Sequence, residues 1–180
     1  MNRRLASVLI VSLTSFAWYA LDWLNNALLG FLKVSPFIYT VYPLSGLRLV
    51  VVILFNEVGA LGLCIGYVLS AVGLRGFSYQ DALVLGVLSS LAPVLGYKLW
   101  QRLTHISSAF ENVNFNKLFL LVFLHSTLTA VFRTTYLLLF AKASDWQDVV
   151  VMFASNFCGA LIFLYAIKYT VHIYRRTGRH

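Results

Sequence analysis

Six apolar runs separated by short polar breaks organise this chain, at 5–24, 37–55, 58–74, 82–103, 117–140 and 149–173. Several reach the roughly 20 apolar residues that a helix needs to cross a bilayer core. None has the short alternating segments of a membrane β-barrel. The pattern predicts an all-α, polytopic integral membrane helical bundle of about six transmembrane helices, forming a single domain over residues 1–180.

The breaks carry information of their own. The second and third runs are joined by almost no linker: Pro43 and Gly46 open the stretch, and Asn56-Glu57 interrupts it. A second apolar run follows, studded with Gly59, Gly62, Gly66 and Gly73. Ser78 or Asp81 can cap the fourth segment, and Pro93 removes a backbone donor from its middle. Residues 105–116 (HISSAFENVNFN) are the stretch that reads as a soluble loop. The first run follows a basic flank, as a signal peptide would, but its end is bulky (Phe16 to Ala20) where a small-x-small cleavage site belongs. It reads as an uncleaved span, with Trp18, Tyr19 and Trp23 as interfacial anchors.

Composition agrees with this reading and narrows it. The chain is 60% hydrophobic and 11% charged, whereas soluble domains average about 45–50% and about 25%. The net charge of +8 does not point to nucleic acid, because the basic residues flank apolar runs, where topology and anionic headgroups account for them. With six crossings and a cytoplasmic N-terminus, nine basic residues lie inside: Arg3, Arg4, Lys98, Arg102, Lys117, Lys168, Arg175, Arg176 and Arg179. Three lie outside: Lys33, Arg75 and Lys142. The positive-inside rule therefore favours six crossings with both termini cytoplasmic. A tilted or broken segment 37–55 remains compatible with that count. Cys64 and Cys158 fall inside apolar runs and show neither disulfide nor metal spacing.

The candidate ligand-binding residues are the polar ones that the apolar runs enclose: Arg48, Arg133, His125, Asn156 and Glu57. A charge at the centre of a helix in lipid costs roughly 2.5–3.5 kcal/mol on insertion scales, so it snorkels, finds a partner or serves a ligand. Arg48 sits one turn past Pro43, where a helix start adds positive potential for an anion. Its alternatives are a structural pair with Glu57 or backbone carbonyls, or snorkelling. His125, Thr129 and Arg133 recur at i, i+4 and i+8 on one face of the fifth segment, which reads either as a water-accessible cavity or as interhelical hydrogen-bond glue. Asn156, with Ser155, Cys158 and Gly159, forms a small polar notch in the sixth. Gly59, Gly62 and Gly66 form a small-residue face suited to close helix approach, within the chain or in an oligomer. No nucleophile–base–orienter spacing, phosphate-cradling loop or HExxH is present. A haem would need a second axial ligand at membrane depth, and His105, His172 and His180 lie in a loop or near ends. The expectation is no enzyme, no cofactor and no metal.

One resemblance adds to this. Pro43, Gly46, Leu47, Leu54-Phe55, the break at Asn56-Glu57 and Gly66 resemble the Pro-x-x-Gly opening, apolar helix, polar break and Gly-containing helix of the first MASE family, the bacterial membrane-associated sensor domains. Residues 154–161 (ASNFCGAL) resemble that family's Gly-Asp-x-x-Gly-x-Leu stretch, with Ser155-Asn156 replacing the Gly-Asp, and Asn56 sits where the family often has Gly. The family usually has about eight spans and an attached output domain, whereas six spans and a short basic tail are read here. The resemblance implies a sensor-like or regulatory module of the bacterial inner membrane that binds a small or amphiphilic ligand, which Arg48 and Arg133 would make anionic, and signals through a separate partner protein. The alternatives are a small-solute transporter or permease subunit, and a structural subunit of a larger membrane complex. Depth sharpens the ligand: segment two runs inward and segment five outward, so Arg48 and Arg133 are expected at similar depth in the outer half, with Asp22 the nearby acid.

Overall fold

The computed structural model describes residues 3–35, 38–39, 41–105, 115–140 and 146–177. Five long apolar helices make up the fold: α1 (Arg3–Leu29), α2 (Leu44–Arg75), α3 (Tyr79–Thr104), α4 (Phe115–Leu139) and α5 (Trp146–Thr177). Each carries a window long and apolar enough to cross a membrane. Between α1 and α2 lie a single 3-10 turn (Gly30–Leu32) and a short antiparallel pair, β1 (Lys33–Ser35) and β2 (Ile38–Tyr39), in which Lys33 faces Tyr39.

The count is five helices, not the six expected. The runs at 37–55 and 58–74 belong to one element, α2, because the backbone reverses at a single residue, Asn56 (φ 50°, ψ −131°), with no linker. The reversal is read from two contacts. A Cβ placed on Gly59 would lie 2.8 Å from the carbonyl oxygen of Val51, whereas eight residues of straight helix span about 12 Å. Arg48 and Arg75, about 40 Å apart in a straight helix, are near enough to repel each other. The first arm, 44–55, is thus about 18 Å long, short of the roughly 30 Å of a hydrocarbon core. Residues 38–39 also differ from expectation, being strand where helix was read. The β-branched Ile38 favours an extended chain, and Pro43 disfavours helix in the residue before it.

Packing follows chain order: α1 lies on α2, α2 on α3, α3 on α4 and α4 on α5, and α5 returns to α2. Among the described residues α1 has no substantial contact with α5, so the ring stays open there. The first arm of α2 occupies the middle, with Leu44, Ser45, Gly46, Arg48, Leu49, Val51 and Val52 all buried. A helix buried nearly all round is a core helix. Around it, apolar side chains such as Leu13, Phe16, Leu54, Leu69 and Leu83 point outward, while Thr14, Asp22, Ser70, His125 and Thr129 are buried. Apolar outside and polar inside is the arrangement a lipid solvent selects.

Helix ends are set locally. The Ser78 hydroxyl accepts the Asp81 N–H at 3.2 Å, capping α3. Gly76 ends α2 at φ 67°, where its N–H returns to the Ala71 carbonyl. Phe153 meets Phe123 and Phe157 meets Phe119, so α5 runs antiparallel to α4. Gly62 abuts Thr14 while Gly66 abuts Ser15 and Trp18, so α1 and the second arm of α2 run parallel. Arg3, Arg4, Lys98, Arg102, Lys117 and the C-terminal part of α5 consequently share one end of the bundle.

The small-residue face of α2 is used within the chain. Ser15 Oγ donates to the Gly62 carbonyl at 2.9 Å, and a Cβ on Gly66 would lie 2.7 Å from the Ser15 carbonyl oxygen. Gly66→Leu is therefore expected to push α1 away and cost about 1–3 kcal/mol of overpacking. Gly73→Ala, whose Cβ would sit 3.7 Å from the Tyr19 hydroxyl, is expected to change little. Thermal unfolding of the two variants in one detergent compares them directly, and equal midpoints would remove this account of the α1–α2 contact.

Candidate functional site

Trp18, Asp22 and Asn25 lie on one face of α1, at i, i+4 and i+7, and all three are buried. Opposite them the first arm of α2 presents Arg48, and the second arm presents Tyr67 and Arg75. Tyr42 precedes the first arm. α4 contributes Arg133 and His125, and α5 contributes Asn156. The open ring is closed over this cluster by the central arm itself.

Arg48 is 1% exposed. Its guanidinium carbon lies 4.7 Å from the centre of the Trp18 ring and 5.5 Å from that of Tyr42. Trp18 is in turn 6.2 Å from Tyr67 and 6.4 Å from Tyr42, centroid to centroid. Among the described residues, both terminal nitrogens of Arg48 lack a hydrogen-bond partner, as do Trp18 Nε1 and the Tyr67 hydroxyl. Asp22, the acid of this cluster, is taken by Arg75 in a buried ion pair, and the Tyr42 hydroxyl donates to the same carboxylate at 3.4 Å. Arg75 and Arg133 stand 5.7 and 5.8 Å from the Tyr67 ring. Arg48 feels both as like charges.

The balance at Arg48 is uneven. Burying an ion costs several kcal/mol even after relaxation. A desolvated cation–π contact returns about 2 kcal/mol, and each buried donor left unmade costs about 1–3 kcal/mol. Two aromatic rings do not cover a guanidinium with two empty donors and like-charged neighbours. An anion would.

The other expected residues divide. Arg133 lies near enough to Arg48 to act on it as a like charge. His125 is fully buried and faces both Arg48 and the Ser45 backbone, with Thr129 Oγ1 3.5 Å from its Nδ1. Asn156 holds the start of the first arm: its carbonyl accepts the Ser45 hydroxyl at 2.6 Å, while its side-chain nitrogen donates to the Met152 carbonyl at 2.7 Å. The Tyr42 N–H adds a bond to the Ser155 carbonyl at 3.3 Å. Glu57 is not brought to the cluster. It sits at the reversal, at the far end of the first arm from Pro43, in an exposed pair with Lys98 at 2.6 Å. The same pairing excludes Glu57 as the partner of Arg48.

Sequence reading missed Trp18, Tyr42, Tyr67 and Arg75. Trp18 was expected at the interface and is instead fully buried, whereas Trp23 is exposed. Arg75 was assigned to the outer loop and instead turns back to Asp22. The available signal was the Trp18–Asp22–Asn25 spacing, three polar-capable residues on one helix face inside an apolar run.

A second feature adjoins the cluster. Where α1 and α5 fail to meet, a crevice of about 230 Å³ opens, lined by Leu21, Asn25 and Leu28 of α1, Leu44 and Leu47 of α2, and Phe163 of α5, among others. Its lining is almost wholly apolar. Asn25 is 6% exposed and, among the described residues, its side-chain nitrogen has no partner.

Among the described residues no group of three or more His, Cys, Asp or Glu side chains could hold a metal ion. Comparison with known proteins gives no match to a family model, to a curated protein or to a solved structure.

Proposed function

We propose that this protein is an integral membrane sensor-like or regulatory module that binds a small or amphiphilic anionic ligand at Arg48 and passes the binding event to a partner protein. One observation carries the reading: a buried guanidinium whose two terminal nitrogens have no partner among the described residues, in a cluster whose acid pairs through one oxygen with Arg75. Arg133 adds to the positive potential from α4, and His125 and Asn156 fix the arm that presents Arg48. The resemblance of residues 43–74 to the first MASE family supports the sensory side of the proposal. The clustering of Arg3, Arg4, Lys98, Arg102 and Lys117 at one end supports an inner-membrane orientation with both termini cytoplasmic.

The test is a thermal-shift series on purified protein with small carboxylates and phosphates. A ligand at about one hundred times its Kd stabilises the folded state by about 2.7 kcal/mol. Arg48→Gln and Arg133→Gln are expected to abolish that shift, and Arg102→Ala to retain it. If both arginine variants keep the wild-type shift, the pocket lies elsewhere.

A second reading, a small-solute permease subunit, is favoured by the short first arm of α2. Transporters place broken helices at mid-membrane sites, with helix starts facing anionic substrate groups. Flux of labelled anion into proteoliposomes separates the two readings, since a sensor binds without transport.

A further inference from the structure

The anion reading leaves open how a ligand reaches a cluster that helices enclose, and the crevice between α1 and α5 supplies the route. Its two main walls lead to the cluster. On α1, Asn25 and Leu21 continue one turn inward to Trp18; on α2, Leu44 continues at i+4 to Arg48. The inward neighbours of the crevice on both walls are therefore the aromatic ring and the guanidinium that it faces. Outward, the crevice is bounded by Leu28, which is 61% exposed on the lipid-facing side.

We infer that the ligand is a single-chain amphiphile with a carboxylate head, a fatty-acid-type anion, which enters sideways from the bilayer between α1 and α5. This rests on the anion site at Arg48. Four observations fix the class. The lining is apolar except for Asn25, so the part held there is hydrocarbon. At about 230 Å³ the crevice falls below the roughly 300–1,000 Å³ of pockets that enclose drug-sized ligands, so it holds part of a single chain and leaves the rest in the bilayer. Asn25, with its buried and unpartnered amide donor, gives an entering carboxylate a polar foothold before Arg48. Arg48 itself offers both terminal nitrogens, the fork that a carboxylate meets with two parallel hydrogen bonds, and the Asp22–Arg75 pair beside it is already neutral.

The experiment uses the whole chain in phosphatidylcholine vesicles with doxyl-labelled stearate as the probe. Electron paramagnetic resonance should show a saturable immobilised component that oleate displaces and oleyl alcohol does not. Leu47→Trp, which fills the crevice, should weaken stearate binding at least tenfold, and Leu28→Trp on the facing wall gives the same test if the first variant does not fold. In parallel, the thermal shift by butyrate should vanish in Arg48→Gln. Retention of the butyrate shift in Arg48→Gln overturns the anion site itself. Loss of that shift, together with wild-type stearate affinity in both tryptophan variants or equal displacement by oleyl alcohol, overturns the lateral amphiphile alone.

Discussion

Asp22→Ala is expected to destabilise the bundle by about 3–5 kcal/mol, the cost of leaving one member of a buried ion pair without its partner. Asp22 and Arg75 are both almost fully enclosed, their side chains 1% and 3% exposed. Removing the carboxylate strands the Arg75 guanidinium against the Tyr67 ring, with Arg48 as a like-charged neighbour. It also takes the acceptor from the Tyr42 hydroxyl. Replacing both partners with leucine should recover most of the loss, because a well-packed apolar pair in place of a buried ion pair is often neutral or better. Glu57→Ala, which breaks the exposed pair with Lys98, should leave the unfolding midpoint where it is. Denaturant unfolding in mixed micelles of the single and double variants measures all of this. A double variant no better than Asp22→Ala would show that the pair is not what holds α1 to the end of α2.

The second large effect belongs to the reversal. Asn56, at φ 50° and ψ −131°, is close to the first central position of a type II′ turn, a conformation glycine takes without steric cost. Holding another residue in such a region costs about 1–3 kcal/mol. Asn56→Gly is therefore expected to raise the melting temperature, the relieved strain exceeding the roughly 0.5–1 kcal/mol of added chain entropy. Asn56→Val should lower it by a larger margin, since a β-branched side chain there is a genuine outlier. The order Gly above Asn above Val is the prediction. A valine variant as stable as wild type would mean that the two arms are held together without help from their turn.

Residue patterning made much of this fold legible. Lengths of apolar run located every helix, and the Ser78 cap and the polar break at Asn56-Glu57 were visible as such. What the pattern could not supply was how the break is made. A two-residue interruption between apolar runs fits two separate spans as well as one element doubled over a single backbone outlier. The approach of Gly59 to Val51 and of Arg75 to Arg48 distinguishes them. Extended residues before Pro43 were hidden for a related reason: Ile38 and Tyr39 are as apolar as the helix they precede.

The site was legible where charge sat in hydrocarbon, and there alone. Arg48 and Arg133 were found because lipid makes such residues costly. Arg75 was passed over because at a helix end a cation has a cheap explanation, although in the fold it turns inward. Trp18 and Tyr67 were invisible for the opposite reason, since aromatic residues belong in any apolar run. Their role comes from facing a guanidinium, which no spacing along the chain records.

The central position of the first arm of α2 has a consequence for biogenesis. This arm emerges from the ribosome second, yet its last cover, the Ser155 and Asn156 carbonyls, comes only with α5, after α3 and α4. Until α5 inserts, Tyr42 and Ser45 have no acceptor from that side. The arm is also too short to span the bilayer core by itself. A nascent chain released before α5 would expose Arg48 and an unanchored helix start to lipid. Completion of the cluster is thereby tied to insertion of α5, and a chain that stops short of it presents a charged half-helix to lipid.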